Sequence, residues 1–174
     1  NGSMWRLPTG MITDRIGGRK VMTILLLASA VPAYLVSKAD SYAMLLVLAF
    51  FVGFAGNSFS AGIAWNSAWQ PRERQGFALG VFGAGNVGAS VTKFVGPPLI
   101  AGTTVGAMYL GIFPGGWRFI PVLYAVLLVL MALATWFLAP RHDRAPGQSM
   151  PLSHQLAPLK QLRVWRFSLY YVAF

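Results

Sequence analysis

The chain has 174 residues, of which 56% are hydrophobic and only 10% charged, against roughly 25% charged in an ordinary soluble domain. Four acids in total are too few for a solvated surface or a soluble acid/base enzyme, no cysteine rules out disulfides and thiolate metal sites, and two histidines leave no metal centre or cofactor to expect. A bilayer protein fits, so the net charge of +10 has to be read by its location.

In chain order, apolar segments cover 4–13, 21–37, 42–65, 76–101 and 118–139, and a sixth opens at Val164. A helix needs about 20 residues to cross about 30 Å of hydrocarbon. The middle four segments reach that length or nearly so, while the first and last are cut short by the chain ends. With no signal-peptide design before the first segment, the sequence reads as a piece of a longer protein. The expected fold is all-α, a partial polytopic transmembrane helix bundle. Its organisation is expected as an incomplete bundle over 1–140, a central linker over 141–163 and the start of a second bundle over 164–174.

The basic residues sort by connection. Arg15, Arg19 and Lys20 follow the first segment, Arg72 and Arg74 the third, and Arg141, Arg144, Lys160, Arg163 and Arg166 the fifth, whereas the intervening connections hold only Lys38 and Arg118. This alternation is the positive-inside pattern, which puts the richer side in the cytoplasm and makes the lipid bilayer the partner. Nucleic-acid binding would need a basic groove with stacking aromatics and is not expected. The stretch from Arg141 to Gln161 carries three prolines and both histidines, His142 and His154, and reads as a solvated flexible linker.

Gly83-Ala84-Gly85-Asn86-Val87-Gly88 matches the GxGxxG dinucleotide pattern. That fingerprint requires a preceding strand and an acid about 20 residues on, and here it lies inside an apolar segment whose next acid is Asp143. The same glycines make sense in a membrane. Gly76, Gly80, Ala84 and Gly88 recur every four residues as a stripe without side chains, Gly83 and Gly85 thin a second face, and a neighbouring backbone is expected to approach closely. Gly56, Ser60 and Ala64 repeat the habit in the third segment.

Polar groups at membrane depth are the functional candidates, because each is costly there unless it faces a cavity or a partner. Arg6 stands about eight residues, or about 12 Å at 1.5 Å per residue, before Asp14. Its guanidinium fork suits a planar oxyanion that accepts two parallel hydrogen bonds, and the plain alternative is a salt bridge to a carboxylate. Asn57, Asn66 and Asn86 could orient an anion or make interhelical hydrogen bonds, the latter being the expected role of Asn57 and Asn66. Lys93, expected to be buried in the fourth segment, is either a titrating group or a side chain snorkelling outward ahead of Pro97 and Pro98.

Gly10-Met11-Ile12-Thr13-Asp14-Arg15-Ile16-Gly17-Gly18-Arg19-Lys20 resembles the loop between the second and third helices of the major facilitator superfamily. In that resemblance Gly10, Asp14, Arg15, Gly18 and Arg19 form a conformational-switch loop. Phe54-Ala55-Gly56-Asn57-Ser58-Phe59, the run from Gly80 to Gly88 and the Arg6-Leu7-Pro8 start together resemble the nitrate/nitrite porter branch of that superfamily.

The resemblance implies that Arg6 grips the anion, Asn86 hydrogen-bonds it, and Phe59, Tyr170 and Phe174 line the site, with Gly80, Gly83, Gly85 and Gly88 allowing helices to slide. It further implies secondary active transport of nitrate or nitrite by alternating access, in a multi-pass protein of the inner (cytoplasmic) membrane whose site is completed by a missing C-terminal half. Overall similarity leans towards proton/nitrate symport, with protons as the coupling ion. Nitrate/nitrite antiport, or facilitated transport of another small solute, are the alternatives.

Overall fold

Hydrocarbon offers no hydrogen bonds to a bare backbone, so each apolar segment can cross it only by closing its amides onto its own carbonyls. The computed structural model, which describes residues 5–143, 151 and 157–173, is accordingly helical almost throughout. Helix α1 spans Arg6–Ile16 and α2 spans Gly18–Val36. Ser41 caps α3, Tyr42–Val52, by accepting the Met44 N–H at 3.2 Å. A 3-10 turn, Gly53–Asn57, joins α3 to α4, Ser58–Trp69. After Pro71, α5 covers Arg72–Gly83, and a second 3-10 turn, Ala84–Asn86, leads into α6, Val87–Ala101. A short antiparallel hairpin, β1 Met108–Tyr109 with β2 Phe113–Pro114, precedes α7, Phe119–Leu138. Beyond the linker, a turn at Ala157–Lys160 leads to α8, Leu162–Ala173. Most of the linker, His154 included, lies outside the described residues.

Among the described residues, three runs are long and apolar enough to cross a membrane: Gly18–Val36, Tyr42–Trp69 and Gly116–Leu138. The α5–α6 run is not among them. The all-α bundle expected from the sequence is the observed architecture, and the hairpin is its one β element among the described residues. The hairpin was missed because its strands are only two residues long.

One expectation is corrected. The stretch from Gly10 to Lys20, expected as a loop, is helical except at Gly17, which alone joins α1 to α2. Gly17 has φ 99°, a conformation that side chains disfavour and that lets the chain reverse in a single residue.

The most extensive helix contact is between α2 and α7. Most of the buried residues of the two helices are small, with Ala30 and Ala33 on α2 and Ala125 and Ala132 beside Val122 on α7. Lipid tails are as apolar as leucine, so close backbone approach through small residues is what holds two such helices together. Buried hydroxyls are satisfied within their own helices, Thr13 donating to Thr9 O at 2.8 Å, Thr23 to Arg19 O at 2.9 Å and Ser29 to Leu25 O at 2.7 Å.

Each end of the bundle is tied by charge. At one end the Asp143 carboxylate accepts the Arg19 backbone N–H at 2.6 Å, the Trp65 indole N–H at 2.9 Å and the Trp69 indole N–H at 3.2 Å. An amide of the first turn of α2 thus meets an anion, which the helix dipole also favours. Arg19 itself donates to Trp136 O and lies 4.5 Å over the Trp136 ring. At the opposite end Arg118 pairs with Asp40 at 2.6 Å. The two sets of connections separated by their basic residues in the sequence therefore fall at opposite ends of the bundle.

Asp143→Asn keeps the size of the side chain but removes the charge that three donors share. It should cost about 1.5–3 kcal/mol of stability, seen as a lower thermal midpoint of the purified full-length protein in detergent. An unchanged midpoint would show the three contacts to be incidental.

Candidate functional site

Both 3-10 turns border the same cavity. Gly53–Asn57 interrupts one long helix and Ala84–Asn86 another, and between them lies a pocket of about 360 Å³ lined by Arg6, Gly56, Ser58, Phe59, Phe82, Gly85 and Asn86. A 3-10 turn tightens the backbone in mid-helix, and such turns often mark functional hinges. Here each carries a glycine to the cavity wall, Gly56 on one side and Gly85 on the other, so backbone as well as side chains faces the space.

Arg6 enters from the first turn of α1, whose start is seated by the Trp5 ring against Phe54, with centroids 5.6 Å apart. Its Nε is buried and has no hydrogen-bond partner among the described residues. Phe59 and Phe82 stack with centroids 5.5 Å apart and planes at 28°, forming an aromatic wall. Among the described residues the lining carries one charged group, the Arg6 guanidinium, beside a hydroxyl at Ser58 and an amide at Asn86. A cation with a buried, unused donor, flanked by neutral polar groups and aromatic faces, is suited chemically to a small planar anion.

Arg6, Phe59 and Asn86, three of the sequence-predicted residues, thus line one pocket. Tyr170 lies in α8, and Phe174 is outside the described residues. Sequence reasoning missed Ser58 and Phe82 as lining residues. Phe82 had a usable signal, since it stands one helical turn before Asn86 and so on the same face.

The glycines behave differently from their expected role. A Cβ placed on Gly76, Gly80, Gly83, Gly85 or Gly88 would meet nothing within 4 Å among the described residues, so no backbone approaches that stripe here. Within the α-helices the tight glycines are Gly62 of α4, into which the Phe82 ring fits, and Gly18 of α2, covered by the Trp65 side chain. In the switch stretch, Gly10 faces open space, Asp14 and Arg15 occupy the last turn of α1, and Gly18 and Arg19 begin α2.

Two further expectations change. The interhelical hydrogen bonds expected of Asn57 and Asn66 are not made: Asn66 donates to Gly62 O at 2.8 Å within its own helix, and Asn57, 0% exposed, has neither amide atom hydrogen-bonded among the described residues. Lys93, expected to be buried, is exposed on α6. Beside it Thr92 contacts the Tyr124 hydroxyl of α7, so the polar link between those helices is made by neutral groups.

The chain matches the Major Facilitator Superfamily over residues 4–174. It is similar to a probable nitrate/nitrite antiporter, NarK1, of Thermus thermophilus, with 65% identity over 99% of this chain and 39% of the relative. It is also similar to a probable nitrate transporter, NarT, of Staphylococcus carnosus (32% identity, 98% of this chain, 40% of the relative) and to a nitrite extrusion protein of Bacillus subtilis (29%, 98%, 40%). The chain spans about two fifths of the length of these relatives. No solved structure gives a significant match.

Since the Phe82 ring occupies the notch at Gly62, Gly62→Ala should overpack it and lower stability by about 1–3 kcal/mol. Adding Phe82→Leu to that variant should restore part of the loss. The thermal midpoints of the two full-length variants check this, and a midpoint unaffected by Gly62→Ala would show that the ring does not need the notch.

Proposed function

The chain belongs to the major facilitator superfamily, and on that premise we propose that this multi-pass membrane protein carries nitrate and nitrite across the membrane by alternating access. The observation that carries the proposal is the Arg6 guanidinium, with a buried and unpartnered Nε, in a pocket shared with Asn86, Ser58 and Phe59. Nitrate is planar and can accept two parallel hydrogen bonds from a guanidinium fork, and the aromatic faces beside it exclude water without competing for its oxygens. The names of the relatives, which mention nitrate and nitrite, support the same substrates. We place it in the cytoplasmic membrane with the Asp143 end inward, an orientation supported by the distribution of basic residues.

Exchange of one anion for another is the coupling favoured here over the symport suggested by similarity. Arg6 carries a permanent charge, and a bound anion is the simplest neutralisation available inside the pocket. The carrier can then close loaded with either anion, whereas an empty closure would bury the cation uncompensated. Lys93, the residue with the best claim to a proton-linked role, is exposed on α6 rather than in the pocket. The relative at 65% identity is named an antiporter.

Proteoliposomes of the full-length protein loaded with nitrite should take up external nitrate faster than unloaded ones, and an imposed proton gradient should not substitute for the internal anion. Uptake into unloaded vesicles driven by the proton gradient would establish symport instead.

The site itself is tested by two substitutions. Arg6→Lys keeps the charge and loses the fork, so it should weaken nitrate uptake nearly as much as Arg6→Ala, by about 10- to 100-fold for the loss of about 1.5–3 kcal/mol. Near-normal uptake by Arg6→Lys at matched expression would reduce the role of Arg6 to charge alone, and near-normal uptake by Arg6→Ala would remove it from the mechanism.

A further inference from the structure

Between Lys93 and Arg118 the chain carries no charged residue, although it has to leave α6, turn and enter α7. Connections in water are normally polar, and turns whose backbone is left-handed normally take Asn, Asp or Gly. The tip of this hairpin holds Leu110, with φ 54°, next to Gly111, with φ 69°. Leu110 is 90% exposed, Val105 83%, Met108 62% and Ile112 58%. Four apolar side chains thus stand uncovered on one small hairpin, one of them at a position whose backbone disfavours it.

The hairpin does not project away from the bundle. Met108, Gly111, Ile112 and Pro114 share a cleft of about 230 Å³ with Tyr34 and Ser37 at the end of α2 and with Val122 in the first turn of α7. Its tip therefore lies beside the last turn of α2 and the first turn of α7. Tyr34 of α2, which shares that cleft, and Val31 and Leu35 in the same last turns of α2 are themselves exposed apolar residues. The hairpin continues the apolar outer surface of the helix pair, and in a membrane protein that surface faces lipid. Lys38 and the Arg118–Asp40 pair mark the charged level at this end of the bundle. The fold of the hairpin is held from within: Gly115 N–H donates to Ala107 O at 2.8 Å and Thr104 N–H to the Tyr109 hydroxyl at 2.9 Å, leaving the apolar side chains free.

We propose that the 105–114 hairpin is a membrane-surface anchor, its tip at Leu110 inserted among the outer-leaflet lipids at the boundary between headgroups and acyl chains. Tyr109 and Trp117 belong to the aromatic class that favours this level, and the exposed Lys38 is suited to lipid phosphate. By holding the outer end of α2 and α7 at a fixed depth, the anchor gives a rocking bundle a fixed point in the bilayer. None of this depends on which anion is carried.

The test places a nitroxide label on cysteine introduced at Leu110 (Leu110→Cys) and, separately, at Val105 (Val105→Cys), in otherwise cysteine-free full-length protein reconstituted in phosphatidylcholine vesicles. A label at Tyr42 serves as a comparison. Electron paramagnetic resonance should show the Leu110 and Val105 labels relaxed more by oxygen than by a water-soluble nickel chelate, with a depth at or below the lipid phosphates. Greater relaxation by the nickel chelate at both positions would put the hairpin in water and overturn the proposal. Exclusion of both reagents would overturn it too, by showing that protein, from this chain or a second copy, covers the tip. The readout is independent of transport, so a failed anchor and a failed nitrate site remain distinguishable.

Discussion

A single carboxylate fixes the relation of three helices. Asp143, just past the end of α7, accepts from the first turn of α2 and from two indoles on the last turns of α4, while Arg19 reaches back to Trp136 of α7. Each donor would otherwise compete for water at the membrane boundary. Gathered on one anion, they satisfy it and one another, and hydrogen bonds to a charged group are individually about twice as strong as neutral ones. The geometry then dictates sequence. A side chain at Gly17 would collide with Asp143 and one at Gly18 with Trp65, so the paired glycines between α1 and α2 are required by what packs over them as well as by the reversal of the chain.

From that end the helices α2, α4 and α7 run with settled positions, and the pocket forms where the regular hydrogen-bond ladder fails. Both breaks are 3-10 turns, and both lie among glycines: Gly53 and Gly56 in one, Gly83 and Gly85 around the other. In hydrocarbon a broken helix is tolerable only where the loosened backbone is buried in protein or faces a cavity. The pocket supplies that setting, and Arg6, whose charge also demands a polar cavity, shares it. Backbone irregularity and buried charge are two costs met by one space.

Much of this was legible in the sequence, for physical reasons. Segment length and alternating basic connections report directly on the membrane, which acts on every residue, and so the helices and their two ends could be read. Arg6 and Asn86 stood out as polar residues at depth, whereas Phe59 was indicated only by the resemblance to the nitrate/nitrite porter branch. What stayed hidden was determined by contacts distant in sequence. Nothing local says that Asp143 reaches Arg19 and Trp65, so residues 10–20 looked like a loop when their helices are closed by a distant cap. The glycine stripe had the right spacing for close packing, but spacing cannot say what lies opposite, and among the described α-helices the close contacts fall at Gly18 and Gly62 instead. The hairpin fell below the length at which alternation carries any signal.

The notch at Gly62 explains how α5 is positioned. Helix α5 has no buried residue and α6 has only Gly96, so neither is held by a broad interface within the described residues. What α5 does have is the Phe82 ring, stacked on Phe59 and seated at Gly62 of α4. Asn86 follows Phe82 by one helical turn and is carried on the same face. The ring therefore sets the distance from Asn86 to the wall that bears Phe59, and through the contact of α1 with α4 it sets the distance to Arg6. Beyond the ring, the α5–α6 run is tied by Gln75 of α5, which donates to Ser67 O at 3.0 Å, and by Thr92 of α6 at the Tyr124 hydroxyl of α7. Ring and polar contacts together set where Asn86 stands in the pocket it shares with Arg6, so a change at any of the three reaches the site without passing through the small buried residues Ala125 and Ala132 of α7.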